Sequence, residues 1–170
     1  MQLVLKSAEQ PTTSGHVRLE WERFGTIAKE FPPLFAKHWR ELALHQDEIA
    51  LDPDWERFYA YDLAGQLHIL TARDGKQLVG YVFLLANIHL HYCSTKWAVA
   101  DMFWLDPAYR FGWTGYKMLK AVEPRMRELG VKVVMIPFKL HFEAERGTLA
   151  KLLARLGYKP TEATFSKYIG

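Results

Sequence analysis

The apolar period of this chain changes along its length, and the order of those changes limits the folds open to it. From Gln66 onward, "QLHILTAR" and "QLVGYVFLLANIHLHY" read as strands separated by Asp74-Gly75, a pair that accepts the positive φ angles of a tight hairpin turn. "WAVADMFWLDP" reads as another strand, "YKMLKAVEPRMRELG" as a helix closed at Gly130 and "VKVVMIPF" as a strand. "GTLAKLLARLG" then reads as a helix closed at Gly157, and "TEATFSKYI" as a last strand. A hairpin followed by β-α-β-α-β predicts an α/β chain with a mixed, mostly antiparallel central β-sheet and helices on both faces. Pro124 falls inside the first of these helices, where the lost backbone bond to Lys120 should bend the axis.

The N-terminal third has a different period. In "VRLEWERFGTIAKEF", Val17, Trp21, Phe24, Ala28 and Phe31 recur at helical spacing, which predicts an amphipathic helix. "FPPLFAKHWRELALHQ" opens with prolines suited to a helix start, and "DWERFYAYDLAG" gives a short helix ending near Gly65. The 170 residues contain no repeat, low-complexity segment or linker, so residues 1–170 are expected to form a single domain, with helices over 16–64 and a core over 67–169. A net charge of +3, from dispersed Lys and Arg, ranks nucleic-acid binding last. One cysteine, Cys93, excludes an intramolecular disulfide. The longest apolar run, "LVGYVFLLA", is far short of a membrane span, and "MQLVLKSAEQ" is too polar for a signal peptide, so a cytoplasmic protein is expected.

The stretch "LDPAYRFGWTGYKML" carries the chemistry. A strand ending at Asp106-Pro107 feeds a helix starting near Trp113, whose first N–H groups have no intrahelical acceptor. Gly112 and Gly115 let a ligand approach the backbone, the helix dipole favours anions, and Arg110 adds a cation, so a phosphate or pyrophosphate suits the turn. Plain turn chemistry is the other reading of these glycines. There is no GxxxxGK[ST] and no full G-x-G-x-x-G, which leaves a P-loop and a dinucleotide-binding unit without support.

This arrangement resembles the GNAT superfamily of acyl-CoA-dependent N-acetyltransferases, whose signature is a strand, (R/Q)-x-x-G-x-(G/A), then a helix. The match falls on Arg110 and Gly115, with Trp113 in place of the middle glycine and Gly112 one residue earlier. The "ARDGKQLVGYVF" hairpin, the "RLGYKP" helix end and the element order extend the likeness over roughly Leu67 to Ile169. "LDPDW", "HLHY" and "RLGYKPTEATFSKYIG" look more narrowly like the small GNAT proteins often encoded by bacteriophages. The resemblance implies a GNAT fold in which acetyl-CoA is the donor. Its pyrophosphate is then cradled by Arg110, Phe111, Gly112, Trp113, Thr114 and Gly115, and its pantetheine arm lies along Phe103, Trp104 and Leu105. A backbone amide of that strand would stabilise the oxyanion, an effect worth about 3 kcal/mol in comparable sites.

Direct attack by an amine needs a base and, later, a proton for the CoA thiolate. Asp101 lies where many members of the family place a glutamate, and strand alternation is expected to put it on one face with Phe103 and Leu105. A polar residue pairing with a neighbour is the alternative reading. In "NIHLHYCS", His89 and His91 are expected on one strand face and Tyr92 on the other, where they are candidates for base, proton donor or packing. His-x-His lacks a third ligand at recognisable spacing, so no metal is assigned. His141 is a weaker candidate of the same kind, and Lys139 is either a solvated cation or a partner for a CoA phosphate. Leu153 stands where the family places its usual proton-donating tyrosine, leaving Tyr92, Tyr116 or solvent for that role. The expected activity is therefore acetyl transfer from acetyl-CoA to a primary amine, on a small molecule or a protein lysine. The alternative is a catalytically degenerate CoA-binding or protein-interaction module. A homodimer is compatible with either.

Overall fold

In a computed structural model of the chain, residues 16–137, 139 and 148–170 are described. Five strands form one sheet in the order β1-β2-β3-β4-β5: Val17–Glu22, Leu67–Asp74, Gln77–His89, Tyr92–Leu105 and Val131–Met135. The first three pairings are antiparallel and β4 pairs with β5 in parallel. The helices are α1 (Phe24–Ile27), α2 (Phe31–Leu42), α3 (Trp55–Leu63), α4 (Thr114–Glu128) and α5 (Thr148–Arg155). The sheet separates two apolar cores, so the expected mixed sheet with helices on both faces forms. On one face Met118, Leu119, Val122 and Met126 of α4 and Leu153 of α5 pack against Leu70, Val82, Leu84, Ala98 and Ala100. On the other, Phe24, Phe31 and Phe35 meet Ile69, Tyr81, Phe83 and Trp104.

β3 is the centre of this arrangement. Val82 and Leu84 point into the first core and Tyr81 and Phe83 into the second, the double-sided burial that a nearly unbroken apolar run permits. The second core is built largely of rings. Phe31 stands edge-on to Phe83 at 4.9 Å and to Tyr81 at 5.6 Å, geometry that aligns ring edges with ring faces.

Three expectations fail. Residues 17–22 form strand β1, not a helix, because Val17, Leu19 and Trp21 alternate into the first core and leave Glu20 and Glu22 on the opposite face. That opposite face is closed by Arg73, which donates to Glu22 (2.8 Å), to Glu30 (2.8 Å) and to the Lys76 carbonyl (3.0 Å) while itself only 7% exposed. The segment ending in "HLHY" is not one strand either. It turns at Leu90-His91, so His89 ends β3 and pairs with Tyr92 at the start of β4. Finally, 161–169 joins no strand: Tyr158 is the last residue packed on a core, and beyond Pro160 the alternation has no face to bury, leaving Phe165 92% and Ile169 90% exposed.

Other boundaries hold. α2 begins with Pro32 and Pro33, and the Asp54 carboxylate caps α3 by accepting from Arg57 N–H at 2.9 Å. Gly75 takes φ +58° in the first hairpin turn. α4 continues through Pro124 to Glu128.

Candidate active site

Two irregularities in β4 create the site. Opposite β3, Phe83 pairs with Met102 and Leu84 with Ala100, so Asp101 is an extra residue in the ladder. The bulge shifts the alternation: Phe103 and Leu105 continue the face of Ala98 and Ala100, whereas Met102 and Trp104 belong to the second core. The extra residue interrupts the alternation, so spacing from Phe103 and Leu105 no longer fixes the face of Asp101. On the other edge of β4, β5 pairs only with Lys96–Val99. Among the described residues, no strand pairs with that edge from Ala100 to Leu105, where the backbone groups of Phe103 and Leu105 turn outward and those of Trp104 turn to β3.

The opening leads into the glycine turn. β4 gives way to a single 3-10 turn, Pro107–Tyr109, started by the Asp106 side chain, which accepts from Ala108 N–H at 3.1 Å. Gly112 then adopts φ +88°, and α4 starts at Thr114 with no side chain capping it. Asp, Asn, Ser and Thr ordinarily occupy that position, so the N–H groups of the first turn are left for another acceptor. A Cβ built at Gly112 or at Gly115 would meet nothing within 4 Å, so there is open space over both glycines. Phe111 and Trp113 project outward, 89% and 62% exposed. A cavity of about 190 Å³ lies beside this turn, between β1 and α4, with Thr114 and Lys117 in its wall. A larger one of about 260 Å³ sits under the far half of α4, away from these groups.

Arg110 does not reach into that space. Its Nε donates to the Leu105 carbonyl at 2.7 Å, and its two Nη atoms grip the carboxylate of Glu41 on α2, Nη2 at 2.6 Å. Glu41 also accepts from the Trp104 indole N–H at 2.9 Å. One turn earlier on α2, Lys37 donates to Asp106 at 3.2 Å, and His38 Nδ1 lies 2.9 Å from the Tyr81 hydroxyl with its ring stacked over Trp104. α2 is thereby fastened to the whole stretch between Trp104 and Arg110.

Electrostatics separate the titratable groups. Burial pushes the Asp101 carboxyl above its ordinary value although the residue is solvent-accessible, and the Lys139 ammonium partly opposes the shift. Burial lowers His38 to about 4, with Glu41 opposing and Lys139 and Arg110 assisting. His38 is therefore neutral at pH 7. Tyr81 is fully buried and burial raises its pKa, so its hydroxyl stays protonated and shares one hydrogen bond with His38 Nδ1. The folded chain binds fewer protons at His38 than the unfolded one, so stability is full above about pH 6.5 and falls toward pH 4. His38→Phe is expected to flatten that slope, worth on the order of 2–3 kcal/mol, in urea titrations at pH 7 and pH 4.5.

The remaining candidates lie apart. His89, His91 and Tyr92 occupy the β3–β4 tip, nine residues of strand from Asp101 or about 30 Å along β4. There His91 N–H donates to His89 Nδ1 at 3.1 Å, and His89 packs on Trp97 at 4.2 Å and on Tyr92 at 4.9 Å. Tyr116 rests against Trp113 on the first turn of α4. Leu153 is 6% exposed in the first core. His141 lies outside the described residues. His38, Glu41 and Tyr81 were not legible as site residues. A His and a Glu three residues apart on one predicted helix were the only local signal, and their partners are 43 to 69 residues away.

A strand bulged at Asp101, open along one edge and running into an uncapped glycine turn is an arrangement for holding an extended, anionic ligand. A family model described as "Acetyltransferase (GNAT) family" matches residues 27–158, and the chain belongs to that family. Solved structures share the fold at low identity. A ribosomal-protein-alanine N-acetyltransferase from Brucella melitensis biovar Abortus 2308 is 15% identical, with a TM-score of 0.65 over 91% of this chain and 100% of its own. An aminoglycoside acetyltransferase, HMB0005, from an uncultured soil metagenomic sample is 11% identical, with a TM-score of 0.72 over 91% and 99%. A predicted acetyltransferase with acetyl-CoA from Clostridium acetobutylicum is 9% identical, with a TM-score of 0.65 over 90% and 96%. No curated protein sequence matches the chain. The narrower likeness to bacteriophage-encoded members finds no support in these comparisons.

Proposed function

We propose that the protein is an N-acetyltransferase that moves the acetyl group of acetyl-CoA to a primary amine by direct attack, with Asp101 as the base. The observation that carries this reading is the continuity of the open edge of β4, from the bulge at Asp101 to the uncapped turn at Gly112 and Gly115. The N–H groups of Phe111, Gly112, Trp113, Thr114 and Gly115 would hold the pyrophosphate. The strand edge at Phe103, Trp104 and Leu105 would line the pantetheine arm and the acetyl carbonyl, with the Phe103 backbone and the Leu105 N–H as the groups free to bond them. Arg110 contributes through its backbone and through the shape it imposes on the turn, since its side chain is committed to Glu41 and Leu105.

Asp101, at the bulge of β4, takes the ammonium proton through water. The amine nitrogen forms the new C–N bond as the C–S bond breaks, and the departing thiolate takes a proton from solvent, since Tyr116 stands at the pyrophosphate end of the site. Leu153, sealed in the core, offers none. α1 to α3 would supply the acceptor wall, with the neutral His38 on it. His89, His91 and Tyr92, at the far tip, have no part in this reading.

Isothermal titration of acetyl-CoA into the purified chain tests the cradle. Wild type is expected to bind in the micromolar range, and Gly115→Glu, at a position with ordinary φ and open space, to weaken binding by more than about 100-fold while the circular dichroism spectrum is retained. Gly112→Glu adds the strain of a side chain at φ +88° and is made second. Absence of binding to folded wild type overturns the proposal. A specific observation, the buried Leu153, favours a second reading as a CoA-binding module. Release of free thiol across a broad amine panel separates the two.

A further inference from the structure

We propose that Glu41 is a positioning residue for acetyl-CoA: from helix α2 it sets the shape of the glycine turn through Arg110, and so couples the acceptor wall to donor affinity. This rests on the acetyltransferase reading of the turn. Three observations carry it. First, Arg110 closes the path from β4 to α4 on itself, since its Nε bonds the carbonyl of Leu105 five residues earlier and braces the excursion that carries the glycines. Second, both Nη atoms are taken by one carboxylate, the fork-to-fork pairing that fixes the plane of a guanidinium as well as its position. Third, that carboxylate is itself held, because the Trp104 indole N–H donates to it from within the second core. Glu41 and Arg110 are largely sheltered, with side chains 19% and 27% exposed, so solvent does little to replace either partner.

The arrangement has a chemical logic. A free guanidinium at this turn would move to the pyrophosphate as a long, mobile contact. Held by Glu41, it instead becomes part of the frame, and the ligand is met by main-chain N–H groups already in place. Because Glu41 lies one turn from His38 on α2, any movement of the acceptor wall is passed to the turn through a rigid pair.

A double-mutant cycle read by isothermal titration of acetyl-CoA tests this well below the melting temperature. Glu41→Gln keeps the size of the side chain and an acceptor for Trp104 but removes the charge and the fork. It is expected to raise the dissociation constant about 10-fold with the binding stoichiometry near one. Arg110→Gln should do the same. If the pair acts as a unit, the double variant stays near 10-fold, whereas independent contributions give about 100-fold. Loss of fold alone lowers the stoichiometry and leaves the dissociation constant of the folded fraction unchanged. Trp104→Phe, which removes the indole donor together with part of the buried ring, serves if Glu41→Gln does not fold, and should weaken binding about 2- to 3-fold. An unchanged dissociation constant in Glu41→Gln, or additivity in the double variant, overturns the inference. Failure of wild type to bind overturns instead the reading of the turn on which it rests.

Discussion

Asp101→Asn is expected to lower kcat/KM by about 10²- to 10⁴-fold while leaving acetyl-CoA affinity unchanged, because it removes a proton acceptor and leaves the turn untouched. The amide is nearly the same size, so it fills the bulge without altering the β4 register. The pH profile makes the assignment specific. Burial holds the Asp101 carboxyl above its ordinary value, so wild-type activity should fall on the acid side as pH drops through that raised value. The residual activity of the variant should lack this limb. Stability moves the opposite way. A raised carboxyl pKa means that the folded chain disfavours the ionised form, so stability is lost as pH rises through it, and the neutral amide should raise Tm at pH 7. Activity within about twofold of wild type would remove Asp101 from the reaction.

The largest effect on stability is expected at Arg73→Leu. Arg73 makes five hydrogen bonds, four of them to Glu22 and Glu30 and one to the Lys76 carbonyl, from a side chain only 9% exposed. Removing the cation leaves two carboxylates facing each other, Glu22 being 17% exposed and also bonded by the Thr71 hydroxyl. Breaking a buried pair of this kind costs about 3–5 kcal/mol, which for a chain of this length lowers Tm by roughly 10 °C. The loss should be steepest near neutral pH, where both carboxylates are charged. A variant with Arg73, Glu22 and Glu30 all made apolar or neutral should recover most of the stability in urea unfolding, because the cost lies in the uncompensated charges and not in the missing contact. A fall in Tm of less than about 2 °C for Arg73→Leu alone would show the cluster to be solvated.

That cluster also explains what sequence patterning missed. Val17 and Trp21 are four residues apart, a separation that fits one turn of helix and two periods of strand equally well. Leu19 between them is the residue that decides for a strand, and the partner that holds its polar face, Arg73, lies 51 residues from Glu22. The later elements were legible because each was bounded by local chemistry: Asp74-Gly75 at the hairpin, and Gly130 and Gly157 at helix ends where φ is +76° and +85°. The glycine turn was readable for the same reason, as its uncapped helix start and open glycines are properties of six consecutive residues. The destination of the Arg110 side chain was not, because Glu41 is 69 residues distant and occupies what looks like an ordinary helix surface. The bulge at Asp101 was invisible for a further reason: a shift of one residue in a ladder leaves no mark on composition and reverses the face of every side chain beyond it. The final segment erred the other way, since Thr161 to Ile169 alternates like a strand and finds no sheet edge to join.

β3 serves two cores at once, with Val82 and Leu84 on one side and Tyr81 and Phe83 on the other, and this turns the sheet into a partition. The aliphatic compartment under α4 holds the glycine turn in place, and the aromatic compartment under α1 to α3 builds the wall proposed for the acceptor. The two share few side chains besides those of the partition, so residues of the aromatic compartment can be exchanged to admit a different amine with little disturbance of the aliphatic one. Redesign of acceptor choice in this protein is therefore a modular problem, with Glu41 and Arg110 as the joint that must be kept between the modules.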